Sequence, residues 1–283
     1  MNTLLSETIK KHPLAAFFIL AFSLTWIGST IYYLTMPIAG QALPPLLRTP
    51  SGIFWYYGPC LSAIIVTRIT GGTDSLRSLL KRLLNWRVNW KWYVFIVLYP
   101  LALHLAVIYL HRLLGSPAPI FFQAEGVPQG NIWLVLIGLV VFQVLVRGIG
   151  EETGWRGFVL PALQSRWNGL TASLILGLLW GLWHFHPANH ALLSVGGIFI
   201  FINIFLTTPI YTWVFNHTKG SIFVAAMFHM TLNVAEFMVP IGMLEAGLTR
   251  NLLQIATLLV TLTVLLLILG QQLGKDRIGT GGV

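Results

Sequence analysis

Apolar runs of roughly 20 residues, separated by short polar stretches, dominate the chain. At 1.5 Å of rise per residue that is the length an α-helix needs to cross the hydrocarbon of a bilayer. The pattern predicts eight spans: Leu14 to Met36, Ile53 to Thr70, Trp92 to Leu114, Ile132 to about Leu160, Leu170 to His186, Val195 to Phe215, Ile222 to Val239 and Leu252 to Gly270. No internal repeat recurs at a fixed period, and no soluble domain or long linker interrupts the spans. Residues 1–283 therefore read as a single transmembrane domain, an all-α, polytopic bundle. The first apolar run lacks a small-residue cleavage pattern and reads as a retained helix rather than a signal peptide.

Composition narrows the class further. Charged residues make up 9% of 283, against roughly 25% in a soluble globular protein. Apolar residues reach 56%, and the mean hydropathy is +0.78. So few charges cannot cover the surface of a soluble fold this large, which excludes a water-soluble enzyme or a secreted domain. The one cysteine, Cys60, excludes an intramolecular disulfide and a cysteine-based metal cluster.

The net charge of +9 suggests nucleic acid until its distribution is considered. With the N-terminus in the cytoplasm, every Lys and Arg except Arg48, Arg112 and Arg250 falls at or near the inner side, as the positive-inside rule requires. The excess is thus topological, and both termini are expected in the cytoplasm of a cell whose inner membrane holds the protein. Between Leu76 and Lys91, residues Leu76, Leu79, Leu80, Leu83 and Leu84 recur at helical spacing with Arg77, Lys81 and Arg82 among them. This segment reads as interfacial, with anionic lipids as partner and no nucleic acid.

Acidic residues are scarce, eight in all, and most fall in loops or tails. Glu151, Glu152 and Glu236 do not. A lone charge at the bilayer centre costs at least about 2.5–3.5 kcal/mol, so such a group persists when paired, wetted or used in chemistry. Glu152 and Arg156 stand at i and i+4, as do Arg147 and Glu151, and on their own these pairs read as a structural ion-pair cluster. Histidines change that reading. His184 lies on the fifth span and His229 on the seventh; Asn233 follows His229 by one turn, and Glu236 by seven residues on the same face. Polar groups in a membrane bundle face its interior, so these side chains are expected to converge. Depth agrees if the fourth helix continues to about Leu160. Glu151 then lies about 14 Å from the inner end and His184 about 21 Å, a mismatch of about one turn.

Glu, His, His and Asn are competent for peptide hydrolysis. A carboxylate takes a proton from water, an imidazole positions that water, and a second imidazole and an amide donate to the oxyanion. A zinc site built from Glu151, His184 and His229 is the competing chemistry. The sequence has no His-Glu-x-x-His spacing and almost no cysteine, so metal-independent catalysis with no cofactor is the preferred expectation. A proton or ion relay in a transporter would use the same cluster, yet the two halves show no matching polar positions of an inverted repeat. A non-catalytic scaffold or immunity protein is the third alternative.

At these residues the sequence resembles the CPBP family of intramembrane endopeptidases, also called the CAAX-protease and bacteriocin-processing or Abi family. The family pattern is Glu-Glu-x-x-x-Arg, then an aromatic residue four positions before His, then His-x-x-x-Asn. The chain carries Glu151-Glu152-x-x-x-Arg156, Trp180-x-x-x-His184 and His229-x-x-x-Asn233 in that order, within a core of about Ile132 to Val239. The resemblance implies about eight helices around a cytoplasm-facing conical cavity. It implies Glu151 as general base, His184 helping to activate water, His229 and Asn233 at the oxyanion, and Glu152 and Arg156 in support. Trp180 stands where many members carry Phe, His186 does not fit the spacing, and Glu236 is no motif residue. The eukaryotic branch removes the last three residues of prenylated CAAX proteins. The short loops here look prokaryotic, so the implied substrate is a prenylated or otherwise hydrophobic peptide, a bacteriocin leader or a membrane-protein tail.

Overall fold

The computed structural model describes residues 3–39, 51–116, 137–138, 140–186, 194–237 and 247–275. Ile132, Val239 and Arg48, which enter the expectations above, lie outside that set. All regular elements among the described residues are helical. In chain order they are α1 (Thr3–Lys11), α2 (Pro13–Ala39), α3 (Ser51–Leu83) and α4 (Trp90–Leu113). A central rod comes next, made of π1 (Gln143–Gly148), α5 (Ile149–Gly154), π2 (Trp155–Val159) and α6 (Leu160–Gln164). Then come α7 (Gly169–Trp183), α8 (Val195–His217), α9 (Ile222–Phe237), α10 (Gly247–Leu269) and a 3₁₀ turn at Gly270–Gln272. Four helices are long and apolar enough to cross a membrane: Pro13–Leu34, Trp90–Leu113, Val195–His217 and Gly247–Gln272. Shorter apolar helices occupy Gly169–Trp183 and Ile222–Glu236. The protein is a multi-pass membrane protein.

Local chemistry sets several ends. Asn168 caps α7, its side chain accepting from Thr171 N at 2.8 Å, and Asn89 caps α4 through Lys91 N at 3.0 Å. Helix α7 stops at Trp183, earlier than the predicted His186, because Pro187 disfavours helical geometry in the residue before it. Gly72 breaks α3 with φ 72 and ψ −160, a conformation a side chain rarely adopts. Beyond that break the basic segment turns its Leu79 inward, while Leu80, Leu84, Trp86 and Trp90 stay exposed.

The rod lies between α3 and α9, with α7 across it. Glycines allow that approach. A methyl at Gly154 would stand 2.7 Å from the Pro59 carbonyl oxygen, and one at Gly150 2.6 Å from that of Tyr56. On the other side a methyl at Gly148 would meet the Ala226 carbonyl at 2.8 Å. Backbone cannot yield as a flexible side chain can, so these positions must stay small. Trp155, fully buried, packs edge-on against Phe17 and Trp183 and anchors the rod to α2 and α7. Half of the most apolar window of α8 is buried but only 17% of that of α10, so α8 is central and α10 faces lipid.

Candidate active site

The rod runs helically from Gln143 through Gln164, so the fourth apolar segment continues past Glu151 as the depth argument requires. Its winding is not uniform. The Glu151–Glu152 pair sits on a single stretch of α-helix between two π-helical turns. Each π turn adds a residue and rotates the downstream side chains around the rod. Neighbouring residues of a helix point about 100° apart, so the two carboxylates face different surroundings.

Glu152 is fully buried. Its Oε1 accepts from Arg156 Nη1 at 3.0 Å and from His229 Nδ1 at 2.8 Å. A carboxylate only accepts here, so Nδ1 of His229 carries a proton and Nε2 is directed elsewhere. Arg156 is fully buried as well, its guanidinium 4.1 Å from the centre of the Trp180 ring and 4.0 Å from that of Tyr211. Two aromatic faces and a carboxylate thus hold one cation.

Glu151 is 5% exposed and accepts a hydrogen bond from Trp180 Nε1 to Oε2 at 2.8 Å. Among the described residues its Oε1 has no protein donor. Arg147, the predicted i+4 partner, makes no ion pair with it. The guanidinium lies over the Tyr56 ring at 5.9 Å instead.

His184 caps the end of α7 instead of lying within it. Its Nδ1 is 2.8 Å from the Trp180 carbonyl oxygen, and a carbonyl can only accept, so Nδ1 holds the proton. Nε2 then presents a lone pair. Glu151, His229 and Arg147 all lie within electrostatic reach of this ring. The direct contact to Glu151, however, comes from Trp180, one turn earlier on α7. Asn233 on α9 donates to Gln143 Oε1 at 3.1 Å, and its second amide hydrogen has no acceptor among the described residues.

The structure therefore gathers Glu151, Glu152, Arg156 and His229 through direct bonds or a shared ring, with His184 beside them and Asn233 one turn beyond His229. Glu236 does not join them. It pairs with Arg250 across α9 and α10 at 3.4 Å. His186 packs against Tyr33 and Trp55. Three contributors have no assigned role in the sequence motifs: Trp180 as a donor, Tyr211 as the second face on Arg156, and buried Gln143. Gln143 carries a signal, being a lone amide in an apolar stretch eight residues before Glu151. Tyr211 carries none. Among the described residues no three His, Cys, Asp or Glu side chains are grouped to hold a metal ion.

Residues 129–235 match the family model described as type II CAAX prenyl endopeptidase Rce1-like. A curated relative, CAAX prenyl protease 2 of Methanococcus maripaludis, is 31% identical over 106 residues. That match covers 34% of this chain and 39% of the relative, so the two correspond over about two fifths of the relative's length. The segment matched by the family model contains Glu151, Glu152, Arg156, Trp180, His184, His229 and Asn233.

Proposed function

We propose that this multi-pass membrane protein, related through its central segment to the type II CAAX prenyl endopeptidases, is an intramembrane endopeptidase. Its substrate is a prenylated or otherwise hydrophobic peptide, cut near its C-terminus. The observation that carries this reading is the unequal treatment of adjacent carboxylates. Glu152 is held by Arg156 and His229, while Glu151 keeps one oxygen without a donor among the described residues and lies within electrostatic reach of the His184 ring.

In this reading Glu151 takes a proton from a water molecule that His184 Nε2 helps to hold, and the water oxygen attacks the scissile carbonyl. The tetrahedral oxyanion is met by His229 Nε2–H and by the second amide hydrogen of Asn233. His229 donates from Nε2 only when both its nitrogens are protonated. Glu151 then returns its proton to the leaving amine. The catalysis proposed is metal-independent, since among the described residues no three His, Cys, Asp or Glu side chains are grouped to hold a metal ion.

The protein is proposed to sit in the inner membrane with both termini cytoplasmic, so that a tail enters the site from the cytoplasmic side. Cleavage of a prenylated CAAX peptide by the purified protein, with and without a chelator, tests the assignment. Glu151→Gln is expected to lower the rate at least about a hundredfold, the usual contribution of a general base. Chelator should leave the wild type unchanged. Activity lost to chelator and restored by zinc would replace this mechanism with a metal one. Glu151-dependent ion flux in liposomes without cleavage would replace the hydrolase with a transporter.

A further inference from the structure

Trp180 occupies the aromatic position four residues before His184, and the structure uses a part of it that phenylalanine lacks. The indole is 4% exposed, and its N–H donates to Glu151 Oε2 at 2.8 Å. The ring face carries the Arg156 guanidinium, and the ring meets His229 with centroids 5.8 Å apart. The carbonyl of the same residue fixes His184 through Nδ1 at 2.8 Å. One residue on α7 thus touches the acid, the cation that neutralises its neighbour, and both imidazoles.

We infer that Trp180 is a positioning residue for hydrolysis: its indole N–H pins one oxygen of the Glu151 carboxylate and so aims the other at the attacking water. The inference rests on the hydrolase reading above. A glutamate side chain has three rotatable bonds, and among the described residues this is the hydrogen bond that restrains its carboxylate. In a water-poor site a bond to an ionised acceptor is stronger than a neutral one, and a lost donor is not easily replaced by solvent. Phenylalanine here would keep the face that stacks on Arg156 and the carbonyl that orients His184. It would leave Glu151 free to rotate toward other donors. The aromatic face and the N–H are therefore separable functions of one side chain.

The test replaces the indole at position 180 alone with benzothienylalanine, in which sulfur stands for N–H while ring size and main chain are kept. Parallel arms use Trp180→Phe and 5-fluorotryptophan, which retains the donor. With the prenylated peptide as substrate, the benzothienyl protein should lose roughly tenfold to a hundredfold in kcat, the range for a hydrogen bond to a charged group, with KM unchanged. The fluorinated protein should match the wild type. Should Trp180→Phe fail to fold, the benzothienyl arm still decides. Full activity without the N–H overturns the inference, as does a rise in KM at constant kcat, which would make Trp180 a substrate contact. A Glu151→Gln control distinguishes the two levels. If that variant is inactive while the benzothienyl protein is fully active, only the positioning role fails; if Glu151→Gln also cleaves normally, the hydrolase reading itself fails.

Discussion

Glu151 accepts from a neutral indole, whereas Glu152 is shared by an arginine and a histidine. The difference arises from direction on the rod, since successive helical side chains diverge by about 100°. Arg156 is the cation on which the arrangement depends. Arg156→Ala would leave Glu152 buried with a missing partner, a change that typically costs about 3–5 kcal/mol, and should appear as a lower melting temperature in detergent. Arg156→Lys should also be destabilising, because an ammonium cannot lie flat between Trp180 and Tyr211 while reaching a carboxylate. Gln143 acts on Asn233 in the same indirect way. Gln143→Leu should reduce kcat of peptide cleavage by less than Asn233→Ala does, since it loosens the amide without removing it. The i and i+4 spacing of Glu152 and Arg156 makes their pair legible in the sequence. The equal spacing of Arg147 and Glu151 misleads, because spacing along one helix does not show that Tyr56 of a neighbouring helix lies within reach of the guanidinium.

Winding itself belongs to the element. Hydrophobic periodicity locates the helices, including the continuation of the fourth run beyond Glu151, because apolar length is what a span requires. It does not reveal the π turns on either side of the carboxylates, since one added residue barely alters an apolar pattern that surrounds the helix. Glycines are where the rod meets its neighbours. Gly154→Ala would drive a methyl onto the Pro59 backbone and should destabilise by about 1–3 kcal/mol, as overpacking does. Gly138, an exposed position in the same apolar run, faces open space, and Gly138→Ala should cause no loss. Thermal unfolding of the two variants side by side checks the contrast. Helix α7 shows how an end can matter as much as a span. Stopping at Trp183 puts His184 on the cap, where its ring bonds back to the Trp180 carbonyl.

At the scale of the whole molecule, the positive-inside pattern predicts an orientation that chemical labelling can read. Cys60 is the one cysteine and is buried. Cysteines introduced at Lys91 and, separately, at Arg112 in a Cys60→Ala background should label oppositely. Lys91→Cys should react with an impermeant maleimide only from the cytoplasmic face, and Arg112→Cys only from outside. Arg77, Lys81 and Arg87 stand on the exposed side of the basic segment. The opposite side is docked on the rod: Arg82 donates to the Gly157 carbonyl, and Leu79 packs at the same glycine. Replacing Arg77, Lys81 and Arg87 with Gln should reduce retention of anionic lipid by about 1 kcal/mol per cation, measured by lipid exchange in nanodiscs, with zwitterionic lipid unaffected.

Amino-acid order alone settled that the chain lives in a membrane as helices, because apolar length and charge scarcity are local quantities. It also supplied the three polar motifs, whose residue types limit the chemistry to a few classes. Folding in three dimensions assigned the partners. An acid, two histidines and an arginine scattered over 79 positions, from Glu151 to His229, meet only when rods pack closely enough. Which carboxylate receives the His229 imidazole, and which receives an indole N–H, was decided there. The reason is that a hydrogen bond needs an approach within about 3 Å and a direction, and no one-dimensional pattern carries either across separate helices.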